Sequence, residues 1–286
     1  MKIRITSDST CDLSHLVKER DIGILPLQVN LDGKAYRDGV DITPQDIFTF
    51  VKETGVLPKT SAPSIGEYEE FFEKELVGYD YLIHFNISAK SSGSHSFAKS
   101  AGEKFGDKVR VMDSQALSSG QGLLVMKAAD MRDNGKTIDE IEETINELKT
   151  RVNTSFVPDS LDYLYKGGRV SKMAMYGANL LKIHPCIEMD EGQLIGTKKY
   201  RGKMSACIKT YIDDLKAKYT KYDKTRCFVT HSCADEELVE LAKTRVQELF
   251  DFDEIIETTA GSIVTSHCGR NTLGVLFVYE KIRRKE

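Results

Sequence analysis

Hydroxyl side chains gather in four short stretches of this 286-residue chain. They are Ser7-Asp8-Ser9-Thr10, Thr60-Ser61-Ala62-Pro63-Ser64, Ser91-Ser92-Gly93-Ser94 and Asp113-Ser114. Each stands where an apolar, strand-like run ends. Hydroxyls and the free amides of a helix start hydrogen-bond a carboxylate without a full opposing charge, so the anion is held yet stays reactive. Any one of these stretches is also explained as a cap for the next helix, but several at one end of one sheet suit a ligand site. Ser92 or Ser94 with the distant His267 is a second chemistry, that of a serine-dependent acyl hydrolase or acyltransferase, which needs a third group to orient the histidine.

Other chemistries fail on spacing. Gly135-Lys136-Thr137 ends like a phosphate loop, but Asp130 stands where the first glycine is required. Gly120 and Gly122 lack the third glycine of a dinucleotide loop, and no G-x-S-x-G elbow occurs. His231 with Cys233 and His267 with Cys268 could supply four zinc ligands, but at no finger or knuckle spacing, so neither metal nor cofactor is expected. The six cysteines show no disulfide framework and read as reduced thiols of a cytoplasmic protein. A net charge of −4 argues against nucleic acid or an anionic membrane as the main partner. Basic clusters at Lys198, Lys199, Arg201 and Lys203 and at 281–285 are solvated faces or docking surfaces. The opening residues read as a strand and not a signal peptide, and no apolar run is long enough for an integral membrane segment.

The elements that would position the hydroxyls follow from periodicity and caps. Strands are predicted at 2–6, 22–29, 81–86 and 109–112. Helices start at Thr43-Pro44 and at the Ser64/Glu67 capping box, span 93–105 and 118–133, and start again at the Thr137/Glu140 box. Strands separated by helices imply parallel pairing. In the second half, 185–189 and 193–198 flank the turn Asp190-Glu191-Gly192 as a hairpin. A helix at 203–219, strands at 227–231, 254–257 and 273–279, and a helix at 236–250 complete a mixed sheet. The expected fold is α/β in two domains, 1–155 with a parallel sheet and 156–286 with a mixed one. With 40% hydrophobic residues the chain can bury a core without a disulfide or metal.

Six motifs in order make the chain resemble the DegV family, the fatty-acid-binding subunits of bacterial fatty acid kinase. They are Ser7-Asp8-Ser9-Thr10-Cys11-Asp12-Leu13, Thr60-Ser61-Ala62-Pro63-Ser64, Ser92-Gly93-Ser94, Leu164 through Gly167-Gly168-Arg169-Val170, Lys199-Tyr200-Arg201, and Gly261 through His267 to Gly269. The departures are Arg270-Asn271 where the family has Pro-Gly, Lys90-Ser91 for Gly-Leu, serine for threonine at 94, and His95 where an aromatic is common. The resemblance implies one long-chain fatty acid in a lipid tunnel between the domains. Its carboxylate would sit near Thr60, Ser61, Ser92, Gly93, His267 and Gly269, with His267 adding positive charge if protonated. A separate kinase subunit would then phosphorylate the acid from ATP for phospholipid synthesis. Arg169 and Arg201 would contact the phosphorylated head group or dock the kinase, or form structural ion pairs. Leu161, Ile187 and Met189 line the tunnel or belong to the ordinary core. A sugar- or small-anion-binding protein is a further alternative.

Overall fold

The computed structural model describes residues 1–170 and 183–280; the basic stretch 281–285 lies outside them. The first half carries strands β1 (Ile3–Asp8), β2 (Ile22–Leu25), β3 (Gln28–Leu31), β4 (Lys34–Arg37), β5 (Lys59–Ser61), β6 (Tyr81–Asn86) and β7 (Val109–Asp113). Helices α1 (Leu16–Glu19), α2 (Pro44–Thr54), α3 (Ile65–Glu75), α4 (Ser94–Gly102), α5 (Ser119–Asp133) and α6 (Ile138–Leu148) run between and after them. A parallel sheet in the order β2-β1-β6-β7 brings the ends of β1, β6 and β7 to one side. Three of the four hydroxyl stretches therefore do lie together. Helices α2, α3 and α6 each open with a capping box, at Thr43/Asp46, Ser64/Glu67 and Thr137/Glu140. The reciprocal bonds satisfy two amides that a helix start otherwise leaves unpaired.

The predicted strand at 22–29 is two strands in two sheets. Pro26, which has no N–H to give a ladder, separates β2 from β3. Strand β3 instead starts a small antiparallel sheet in the order β4-β3-β5, which was not foreseen. Thr60 and Ser61 thus belong to that second sheet and not to the end of the parallel one.

The second half begins with β8 (Val152–Asn153), β9 (Ser155–Val157) and α7 (Asp162–Lys166), and continues with the hairpin β10 (Ile183–Asp190) and β11 (Gln193–Arg201). Then come α8 (Met204–Lys218), β12 (Arg226–Ser232), α9 (Glu236–Leu249), β13 (Glu254–Thr259), α10 (Ser262–Cys268) and β14 (Thr272–Val278). The sheet runs β11-β10-β9-β14-β12-β13, with β8 also on β14; β12 and β13 are parallel and the other pairs antiparallel. The chain therefore changes sheet at 152–157. Helices α8 and α9 pack on one face of this sheet around Tyr211, Val229 and Phe277.

Helix α5 is buried around almost its whole girth, the mark of a helix packed on both sides. Its Leu123, Leu124 and Val125 share one cluster with Ile5 and Phe85 of the parallel sheet and with Phe228 and Leu276 of the mixed sheet. Gly120 and Gly122 permit this: an added Cβ would lie 2.2 Å from Thr154 Oγ1 and 2.7 Å from the Cys11 carbonyl, respectively. Their role is close packing. All six cysteines are free, and among the described residues no helix is long and apolar enough to cross a membrane.

Candidate functional site

Beside this solid contact the two halves leave a pocket with about 640 Å³ of empty space, part of it open to solvent. Its polar wall comes from Thr10 after β1, Thr60 and Ser61 of β5, Ser91 and Ser92 ahead of α4, Arg169 after α7 and His267 of α10. Its apolar wall includes Leu27, Ile87, Leu117, Phe156, Leu164 and Leu194, with Ile263, Val264 and Cys268 of α10. A second cavity, with about 340 Å³ of empty space that includes some open to solvent, adjoins it and shares Leu117, Phe156, Val264 and Cys268. A mostly apolar space with a few convergent polar groups is the usual form of a small-molecule site.

The structure places His267 Nε2 2.9 Å from Thr60 Oγ1. Its Nδ1 is buried without a hydrogen-bond partner and faces Gly167, where an added Cβ would lie 2.5 Å away. Burial first, and then the charge of Arg169, push the imidazole down to about 3. The histidine is therefore neutral near pH 7, so the positive charge expected of it if protonated is not available there. With the proton on Nε2, His267 donates to Thr60 and leaves the Thr60 hydroxyl proton free for a ligand. A lone pair at Nδ1 also suits the nearby cation better than an N–H would.

The positive charge sits on Arg169 instead. Its Nη1 donates to the Gly167 carbonyl at 2.7 Å, and burial holds its pKa below the usual value. A guanidinium stays charged even so. The ion-pair reading of Arg169 gains no support, because no carboxylate pairs with it among the described residues. A half-buried cation that pairs with no carboxylate among the described residues, lining an apolar cavity together with hydroxyls, suits a carboxylate or phosphate.

Two residues that sequence reasoning passed over hold α10 in place. Asp12 accepts from Gly261 N at 2.9 Å and Ser118 Oγ at 2.5 Å, and Asp38 accepts from Ser262 N at 2.7 Å and Ser9 Oγ at 2.8 Å. Desolvation raises both carboxyls, and the charges of Asp38 and Asp8 raise Asp12 further. Both reach across from the first half of the chain to the start of the helix that carries His267. Asp12 lies within the first motif, so its position carried a signal; Asp38 had none.

Of the remaining expected site residues, Gly93, Gly269 and Arg201 do not line the cavity. Gly93 caps α4 with room for a side chain, the nearest atom being the Phe97 ring at 3.7 Å. Gly269 ends α10 at φ 76°, and an added Cβ would meet the Tyr163 ring at 2.8 Å, so its role is in packing. Arg201 is exposed at the end of β11. Leu161 and Ile187 are core residues beside the cavity.

The serine-hydrolase constellation is not assembled. Ser92 Oγ lies 2.9 Å from Ser94 Oγ and accepts from Ser94 N, while the partner of His267 is Thr60. No group orients His267 through Nδ1. His231 faces Glu257 at 3.3 Å, and among the described residues no group of three or more His, Cys, Asp or Glu could hold a metal ion.

Comparison with known proteins agrees with this architecture. The model of the DegV family, described as uncharacterised proteins, matches residues 2–280. A DegV domain-containing protein of Caldanaerobacter subterraneus is 34% identical over 278 residues, 96% of this chain and 98% of that one. A fatty acid-binding protein of Thermotoga maritima is 33% identical over 293 residues, all of both chains. A solved structure of a DegV family protein from Thermus thermophilus, described by its fatty acid binding, superposes with a TM-score of 0.91 at 28% identity, over 98% of this chain and all of that one. This chain belongs to the DegV family.

Proposed function

We propose that this protein binds one long-chain fatty acid between two domains, 1–155 and 156–286, and presents its carboxylate to a separate ATP-dependent kinase in the cytoplasm. The product would be an acyl phosphate for phospholipid synthesis, with the transfer chemistry supplied by the kinase and none by this chain. The observation that carries the reading is the uncompensated Arg169 lining the same apolar cavity as Thr60, Ser61, Ser92 and His267. Fatty acid binding by similar proteins supports the same ligand. Arg169 and hydroxyl donors would orient the carboxylate, and neutral His267 would aim Thr60. Burial of roughly fourteen methylenes contributes on the order of 11 kcal/mol before ordering costs, so the head group needs only a moderate grip. Arg201, outside the cavity, is assigned to kinase contact.

Native mass spectrometry of protein purified from bacteria tests the first step. An added mass of a few hundred daltons, released by delipidation and restored by a long-chain acid, is expected; a bare chain that takes up no acid would sink the reading. For the second step, kinase and ATP should yield acyl phosphate from the loaded protein. Arg201→Ala should slow that transfer while acid affinity stays at the native value.

A further inference from the structure

The two cavities meet at four side chains. Val264 and Cys268 stand one helical turn apart on the same face of α10, and Phe156 of β9 and Leu117 just ahead of α5 complete the shared wall. Arg169, Thr60 and Ser92 all lie in the first cavity. The second is walled by residues whose polar atoms are already engaged. Thr230 bonds Ser119 and Thr258, Ser232 bonds Thr265, Ser155 bonds Tyr211, and Thr272 donates to the Cys268 carbonyl. Thr154 Oγ1, which has no partner, is turned onto Gly120. A space that offers no free polar partners holds water poorly and hydrocarbon well.

We propose that Leu117, Phe156, Val264 and Cys268 form a collar that sets the acyl chain length this protein retains. Chains long enough to pass the collar bury their methyl end in the second cavity; shorter ones stop in the first. The proposal rests on the fatty-acid reading above and names the residues that decide among acids. Each methylene that enters the second cavity strengthens binding about fourfold.

Affinities of the delipidated protein for decanoate and hexadecanoate, measured by titration calorimetry, test it. In the native protein affinity should keep rising past ten carbons, and a plateau there would place the tail outside the second cavity and overturn the collar. Cys268→Leu adds bulk at the narrow point, and the ratio of hexadecanoate to decanoate affinity should fall about tenfold or more. Leu117→Phe adds bulk to the collar from outside α10 and should do the same if the first variant fails to fold. A folded variant with the native ratio overturns the collar, whether or not both affinities drop. If the native protein binds neither acid, the fatty-acid reading itself fails, and the collar with it.

Discussion

Two polar regions lie side by side at the end of the parallel sheet, and Thr10 belongs to both. Around Asp8 the pairing is nearly complete. Its carboxylate accepts from Gln121 Nε2 at 2.8 Å, Ile87 N at 3.0 Å, Asn86 Nδ2 at 3.3 Å and both the amide and hydroxyl of Thr10. Gln121 also reaches Ser7 Oγ and the Phe85 carbonyl, and in this network only Asn86 Oδ1 lacks a partner. At the cavity the reverse holds: among the described residues Arg169 has no carboxylate and His267 Nδ1 no donor or acceptor. Buried polar groups that are all paired fix a structure, and groups left open at a cavity wall leave something for a ligand to complete. The contrast supports the proposed site independently of any relative.

That contrast can be broken from either side. On the scaffold side, Asp8→Ala strands several buried donors at once and should lower unfolding stability by about 3–5 kcal/mol. Urea unfolding measures it, and a loss under about 1 kcal/mol would show that the network is not the scaffold it looks like. On the site side, Arg169→Met should weaken fatty acid binding by about 1.5–3 kcal/mol, roughly ten- to a hundredfold, with stability kept or improved. A variant that unfolds more easily yet binds normally would reverse the assignment.

The state of His267 sharpens the same contrast through pH. Its folded pKa of about 3 lies below the ordinary 6.5, so the neutral form is the one folding favours. That contribution is fully present above pH 6.5 and is lost as pH falls toward 3. Between pH 7.5 and 5.5 the native protein should lose about 1 kcal/mol more stability than His267→Gln. The variant comparison matters because Asp8, Asp12 and Asp38, all with raised pKa values, respond in the opposite direction. Equal pH slopes in the two proteins would mean that the imidazole is not held neutral. Smallest should be Thr60→Val, which keeps the shape and removes one hydroxyl. Binding is expected to weaken by about 1 kcal/mol, and because His267 Nε2 loses its acceptor unfolding stability should fall by about 1 kcal/mol as well; unaltered affinity would remove Thr60 from the head-group site.

Much of the scaffold was legible because its signals are local. The boxes at Ser64/Glu67 and Thr137/Glu140 and the hairpin turn at Asp190-Glu191-Gly192 report on residues three or four apart, and each stands where it was expected. The β3–β4 hairpin carried such a signal too. Asp32 and Gly33 both adopt positive φ in its turn, as an Asp-Gly hairpin requires, but reading 22–29 as one strand through Pro26 concealed it. Helix α10 had no local signal strong enough to find. Its seven residues fall below the length that nucleates alone, and it stands because Asp12 and Asp38 arrive from more than two hundred residues earlier to accept from its first amides.

By itself the sequence determined the capped helices, the alternation that makes a parallel sheet, the hydroxyl motifs and the lack of a phosphate loop. Folding decided that Arg169 would carry the charge and His267 would not, that Gly93 and Gly269 would stand outside the cavity, and that two cavities would meet at Cys268. The reason is physical. A cap or a turn depends on neighbours along the chain, whereas the charge on an imidazole, the pairing of a guanidinium and the width of a cavity depend on which distant groups exclude water from them.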